Sequence, residues 1–215
     1  MKSKTYAVFG LGRYGRAVAK ELVDNGKEVI AVDSNQSIVN DAAAYLPVCK
    51  CADVTDPEVI ERLGIAEIDT AIICMAGDLE AGVMAVTLCK EAGVKTVIAK
   101  CSSEMQQRIL LRVGADQVVF PENESGIRLA KNLLSSGFID MISLSEDVSM
   151  IEIDVKDEWL GKNLIELNLR KKFGFNIVAI KKGDKVNVNV NPEQVMDAST
   201  TLIVIANTSK LSRLK

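Results

Sequence analysis

Short apolar runs alternate with amphipathic stretches along the first 120 residues. The runs predict strands near 5–10, 28–32, 47–51, 69–75, 95–100 and 117–120. The stretches between them predict helices near 13–25, 35–45, 56–63, 78–92 and 103–113. Ala71-Ile72-Ile73-Cys74-Met75 has no polar face, which suits a parallel strand covered on both sides. Alternating β and α units of this length predict an α/β fold, a Rossmann-like doubly wound parallel sheet that holds its ligand at the carboxyl ends of the strands. Gly26, Gly64, Gly93 and Gly114 follow the predicted helices where a left-handed C-cap is wanted.

The pattern changes after Pro121. Glu122 to Gly137 predicts a crossover helix with Ile127, Leu129, Ala130, Leu133 and Leu134 spread over more than one face. With Phe138 and Ile139 behind it, that wide apolar surface suits packing against a second chain, or burial within its own domain. From Val148 a small α+β unit begins. Residues 149–155 alternate with period two, and 176–180, 185–188 and 201–205 predict further strands, with Gly183-Asp184 as a hairpin turn. Gly161 to Arg170 predicts a short helix and turn, with Leu160, Leu164, Leu167 and Leu169 facing inward. The expected organisation is therefore a nucleotide-binding domain over 1–120, a crossover helix and linker over 121–145, and a second, small α+β domain over 146–215. Some 65 residues make a thin core, which self-pairing would reinforce.

The candidate chemistry lies at the end of the first strand. Val8-Phe9 runs into Gly10-x-Gly12-x-x-Gly15, a helix follows, and the second strand ends in Asp33, 23 residues after Gly10. Gly10 permits the tight turn, Gly12 lets the backbone approach phosphates, and Gly15 lets helix and strand pack closely. The helix N-terminus offers free N–H groups and a positive dipole end. Asp33 stands where an acid accepts ribose hydroxyls and repels the 2′-phosphate of NADP. Three such glycines alone fall by chance in roughly one chain in fifteen of this length; the strand, helix, second strand and acid around them give the signal its specificity.

Composition narrows the function. Aromatic residues make up 4% of the 215, so the core is aliphatic, and no apolar stretch has the length of a membrane span. The start, Met1-Lys2-Ser3-Lys4, leads directly into a strand without a signal-peptide pattern, so a cytoplasmic location is expected. Cys49, Cys51, Cys74, Cys89 and Cys101 form no CxxC pair and are expected to be buried thiols. Histidine is absent, which removes His triads, His metal ligands and His general bases. Residues 1–147 carry 15 basic and 21 acidic side chains, residues 148–215 carry 11 and 8, a hint of two regions with different ligands. Neither balance favours nucleic acid, and no basic reading helix marks a DNA-binding repressor.

A dinucleotide fold raises the alternative of a soluble NAD-dependent oxidoreductase. Such an enzyme needs a proton donor beside the nicotinamide, commonly His, or Tyr with Lys. None of Tyr6, Tyr14 and Tyr45 has a lysine four residues on. A nucleotide domain without such groups points to sensing rather than catalysis.

The motif Val8-Phe9-Gly10-Leu11-Gly12-Arg13-Tyr14-Gly15, with Ala31-Val32-Asp33, Ala52-Asp53-Val54-Thr55, Gly114-Ala115-Asp116 and Pro121-Glu122, resembles the Ktr/Trk-type potassium-uptake regulators. Gly174-x-x-Ile177-Val178-Ala179-Ile180-Lys181 and Leu202-Ile203-Val204-Ile205 extend the resemblance over nearly the whole chain. It implies an N-terminal RCK (KTN) domain, a C-terminal RCK domain and no enzymatic activity. It further implies a homodimer that assembles into a ring, an octamer by resemblance, on a membrane-embedded potassium-translocating subunit, without direct membrane insertion.

The resemblance also implies residue roles. ATP or ADP, or else NAD or NADH, would be held by Gly10, Leu11, Gly12, Arg13, Tyr14, Gly15, Asp33, Asp53, Val54 and Lys100. Asp53 would sit near the adenine, and Arg13 would reach a terminal phosphate or a neighbouring subunit's nucleotide. Lys100 would be a further phosphate-side lysine. Glu122 would bind a cation, with Glu124 as the fallback; carboxylates suit Mg²⁺ or Ca²⁺, although the helix dipole alone also favours an acid there. In the C-terminal domain Leu164, Leu169, Arg170 and Pro192 would hold cyclic di-AMP, the two leucines alternatively serving as core. Asp78 and Asp53-Val54-Thr55 depart from some relatives, leaving ATP or ADP against NAD(H) open.

Overall fold

The computed structural model describes residues 4–134, 138–145 and 147–207. It divides into two compact units, 1–122 and 123–215.

In the first unit β1 (Thr5–Phe9), β2 (Glu28–Asp33), β3 (Cys49–Cys51), β4 (Thr70–Ile73), β5 (Thr96–Lys100) and β6 (Gln117–Val119) form one parallel sheet in the order β3-β2-β1-β4-β5-β6. The helices are α1 (Arg13–Asp24), α2 (Gln36–Ala42), α3 (Pro57–Arg62), α4 (Leu79–Glu91) and α5 (Glu104–Arg112). They cover both faces of the sheet. Alternate residues of β1 therefore enter different cores: Ala7 and Phe9 pack with Ile73, Val86 and Val97, while Val8 packs with Leu11, Ala19 and Ala31. Such double coverage is why β1 has no polar face. The expected Rossmann-like sheet is what forms, and Gly26, Gly64, Gly93 and Gly114 all take positive φ beyond their helices.

The strand order reverses between β1 and β4: β1 leads outward to β2 and β3, and β4 leads the other way to β5 and β6. Open α/β sheets bind ligands in the crevice at such a switch point.

The second unit holds most of α6 (Pro121–Leu134), then β7 (Phe138–Ser143), β8 (Val148–Asp154), α7 (Leu164–Leu167), α8 (Leu169–Phe173), β9 (Asn176–Lys182), β10 (Lys185–Asn187) and β11 (Thr200–Asn207). The strands form an antiparallel sheet in the order β10-β9-β11-β8-β7. On central β11, Leu202, Val204 and Ala206 are buried while Thr201, Ile203 and Ile205 are half-buried. Trp159, Phe173 and Phe175 stack through this core, with ring centroids 6.2 and 5.5 Å apart. Aromatics thus anchor a core expected to be aliphatic.

Several local expectations change. β7 was not anticipated; it lies in the stretch set apart as a linker, and its register with β8 shifts between Phe138 and Asp140. That irregularity breaks the period-two signal. The expected helix over 161–170 becomes two short helices, because Asn168 turns left-handed at φ 48° between them. Leu160, expected to face inward, is 38% exposed. Cys51 is exposed and Cys49 and Cys74 half-buried, so only Cys89 and Cys101 are the buried thiols expected of all five. The expected crossover helix runs to Leu134; its last positions, 135–137, and the side chains of Leu134, Phe138 and Ile139 fall outside the described residues.

Candidate functional site

A cleft of about 530 Å³ opens at the switch point. The β1–α1 loop and the ends of β2 and β3 contribute Gly10, Gly12, Asp33, Asp53, Val54 and Thr55, and the end of β4 with the start of α4 contributes Cys74, Met75, Gly77 and Asp78.

The three motif glycines have separable reasons. Gly10 takes φ 88°, donates its N–H to the Val32 carbonyl at 2.8 Å, and lies so close to β4 that a Cβ would come within 3.2 Å of the Cys74 carbonyl. A Cβ on Gly15 would stand 2.0 Å from the Gly10 carbonyl oxygen. Gly12 differs: its φ is −66°, a Cβ there would meet nothing within 4 Å, and no side chain caps the helix it begins. The N-terminus of α1 is therefore open to an anion.

Asp33 holds this loop in place. One carboxylate oxygen accepts the Leu11 N–H at 2.7 Å and the other the Asn35 N–H at 2.8 Å. Leu11 is itself fully buried. Arg16 grips the other side of the same segment, donating from Nε to the Leu11 carbonyl at 2.7 Å. This positioning role was missed; the sequence signal for it was only a cation one turn into α1. Asp53 accepts the Thr55 N–H at 3.0 Å and the Thr55 hydroxyl at 2.7 Å, and those two bonds, the backbone one first, hold its carboxyl below the usual range. Val54, the next residue, is buried in the core. Burial pushes the Cys74 thiol up to about 12, so it stays protonated at neutral pH.

Three further expected residues meet at the edge of the motif. Lys100 Nζ lies 2.6 Å from a Glu122 oxygen and 5.8 Å from the centre of the Tyr14 ring. The lysine side chain is 15% exposed and the glutamate 64%. The Lys100 hydrogen bond is the first cause that holds the Glu122 carboxyl low. The expected phosphate lysine and the expected cation ligand are thus each other's partners in this state. Among the described residues no three His, Cys, Asp or Glu side chains come together, at Glu122 or elsewhere. Glu124, two positions along α6, is exposed and points to another side of the helix. Arg13 is exposed with no partner among the described residues, and it lies outside the cleft lining.

In the second unit a cavity of about 490 Å³ is lined by Leu164, Leu169 and Arg170 together with Ile165, Phe175 and Ile177. The carbonyl of Pro192 accepts the Leu164 N–H at 3.0 Å, which brings the fourth expected residue beside the other three. Leu169 is only 3% exposed and also belongs to the core, whereas Arg170 is exposed. A separate cavity of about 530 Å³ beside Trp159, Lys162, Glu166 and Lys172 was not anticipated.

Comparison with known proteins joins the two units. Residues 6–121 match the TrkA-N domain and residues 148–215 the TrkA-C domain. The chain is 34% identical over 212 residues to the Ktr system potassium uptake protein C of Bacillus subtilis, across 99% of this chain and 96% of that one. It is also 34% identical over 209 residues to the Ktr system potassium uptake protein A of Vibrio alginolyticus, across 97% and 95% of the two chains. Among solved structures the fold is similar to the GsuK channel, with a TM-score of 0.70 at 17% identity over all of this chain and 39% of that one. The TrkA-N domain of the inner membrane protein ybaL from Escherichia coli aligns with a TM-score of 0.55 at 15% identity, over 62% of this chain and 98% of that domain.

Proposed function

The chain belongs to the Ktr/Trk family of potassium-uptake proteins, and from that membership we propose that it is a nucleotide-sensing gating subunit for a membrane potassium translocator. It is a regulatory protein and not an enzyme. An adenine nucleotide, ATP or ADP or else NAD(H), occupies the cleft at the switch point, with phosphates on the N-terminus of α1 and a ribose at Asp33. Cyclic di-AMP occupies the cavity at Leu164, Leu169 and Arg170, where Pro192 lies alongside. Copies of the chain pair and assemble into a ring, and the ring docks at the cytoplasmic face on its membrane partner. No described helix is long and apolar enough to cross a membrane.

The observation that carries this reading is the open helix end at Gly12, where neither the backbone conformation nor the packing of the chain itself calls for glycine. Close approach by a phosphate does. Lys100 and Glu122 sit beside this mouth as an ion pair that a phosphate or a cation would compete for. A divalent ion would sit at Glu122 with its remaining donors from the nucleotide or a second copy of the chain. A ligand shifts a conformational equilibrium only through interactions that differ between its states, and an exchangeable pair at the phosphate end supplies such a difference.

Titration calorimetry of the full chain with ATP, ADP, NADH and cyclic di-AMP tests the two sites together. Gly12→Val removes nucleotide binding and leaves cyclic di-AMP, while Arg170→Ala does the reverse. If neither ligand class binds the wild-type chain, the sensor reading fails.

A further inference from the structure

Two long helices present their N-termini to the cleft and are finished differently. α1 begins at Gly12 with no side-chain cap. α4 begins at Asp78, whose Oδ1 accepts the Ala81 N–H at 3.0 Å. One end is free to receive an anion; the other already carries one.

The charge of the cleft follows the same division. Its charged lining residues are Asp33, Asp53 and Asp78, with neither lysine nor arginine between them. Both oxygens of Asp33 accept backbone N–H groups, and Asp53 is held by Thr55. Asp78 is exposed, and its second oxygen has no donor among the described residues. In the cleft Cys74, Met75, Gly77 and Ala81 stand around it without charge at neutral pH, and Lys100, which lines a small adjoining cavity with Asp78, is paired to Glu122 instead. A phosphate chain extended from Gly12 toward β4 meets an uncompensated carboxylate. A sugar carried to the same place meets an acceptor for its hydroxyls.

Resting on the assignment of the cleft to an adenine nucleotide, we propose that Asp78 is a specificity residue that disfavours a nucleoside triphosphate and receives the second sugar of a diphosphate-linked dinucleotide. The ligand then spans both halves of the switch point, one nucleoside at Asp33 and Asp53, the diphosphate at Gly12, and the second ribose at Asp78. The preference comes from this side chain's charge rather than from its capping bond.

Asp78→Asn separates the two, because asparagine caps a helix about as well as aspartate but carries no charge. Wild-type chain and variant are titrated with ATP, ADP and NADH, once with EDTA and once with Mg²⁺. NADH is expected to bind the wild type more tightly than ATP. In the variant the NADH-to-ATP affinity ratio falls about tenfold, the scale expected when one exposed carboxylate accepts the ribose hydroxyls of the first ligand and repels the added phosphate of the second. ADP, too short to reach Asp78, changes by less than about twofold. An unchanged ratio in Asp78→Asn overturns the proposal. So does tighter wild-type binding of ATP with Mg²⁺ that the variant weakens, which makes Asp78 a cation ligand. If no nucleotide binds the wild type, or Gly12→Val leaves every affinity intact, it is the assignment of the cleft that falls.

Discussion

A Cβ on Gly15 would lie 2.0 Å from a backbone oxygen, whereas one on Gly12 would meet no atom within 4 Å. One motif thus contains a glycine that folding demands and another that only a ligand would demand. Gly15→Ala is expected to destabilise the first unit by about 3 kcal/mol, since the Gly10 backbone must move to admit the methyl group, with the Cys74 Cβ 3.3 Å away on the other side. Gly12→Ala should leave stability within about 0.5 kcal/mol, as at other uncrowded surface sites. It should nonetheless weaken nucleotide binding about tenfold. Thermal unfolding and calorimetry on the two variants, side by side, check the separation. Asp33 offers no such separation, because its carboxylate both faces the cleft and ties Leu11 and Asn35 in place. Removing it takes away the loop geometry together with the proposed ribose acceptor.

At the scale of elements, what the sequence displayed was whatever repeats with a regular period. The parallel strands were legible because double coverage makes them apolar throughout, and the Gly10–Gly12–Gly15 turn because its spacing follows the strand–turn–helix backbone. β7 was hidden by its shifted register, and the α7–α8 break by a left-handed residue that is not glycine. The pairing of Lys100 with Glu122 joins side chains 22 positions apart, a distance that no local pattern encodes. Asn168 at φ 48° gives a direct test: alanine there should cost about 1 kcal/mol, the strain of a Cβ in that region, while glycine should cost nothing or stabilise slightly. Urea unfolding of both variants reads the difference. Asp116 ties neighbouring elements together, accepting the Val97 N–H at 2.6 Å and pairing with Lys90 at 3.1 Å. The Val97 bond comes first among the causes that hold its carboxyl below the ordinary value. A depressed carboxyl contributes stability that is present above its unfolded pKa, about 3.9, and is lost as pH falls through the lower folded value. Asp116→Asn should therefore lower the melting temperature at pH 7 and flatten the loss of stability below about pH 4.

At the scale of the whole molecule, two surface features bear on assembly. The first is apolar: Ile127, Leu129 and Leu133 of α6 are 48%, 60% and 77% exposed. Large aliphatic groups exposed on more than one face of a helix are a liability in a monomer and an asset in a dimer. Leu129→Asp should shift sedimentation toward smaller species while leaving the far-ultraviolet circular dichroism unchanged. The second is Arg13, which stands beside the open end of α1 yet lies outside the lining of its own cleft. A cation one residue past Gly12, exposed and without a partner among the described residues, could meet a nucleotide other than its own chain's, and in the ring proposed above the neighbouring copy would supply one. Arg13→Ala is then expected to retain nucleotide affinity within about threefold, as for loss of a single exposed charge interaction. The change in sedimentation on exchanging ADP for ATP or NADH should vanish. If affinity instead collapses while the ligand-dependent change in assembly persists, Arg13 serves its own site and the coupling between copies runs through the Lys100–Glu122 pair.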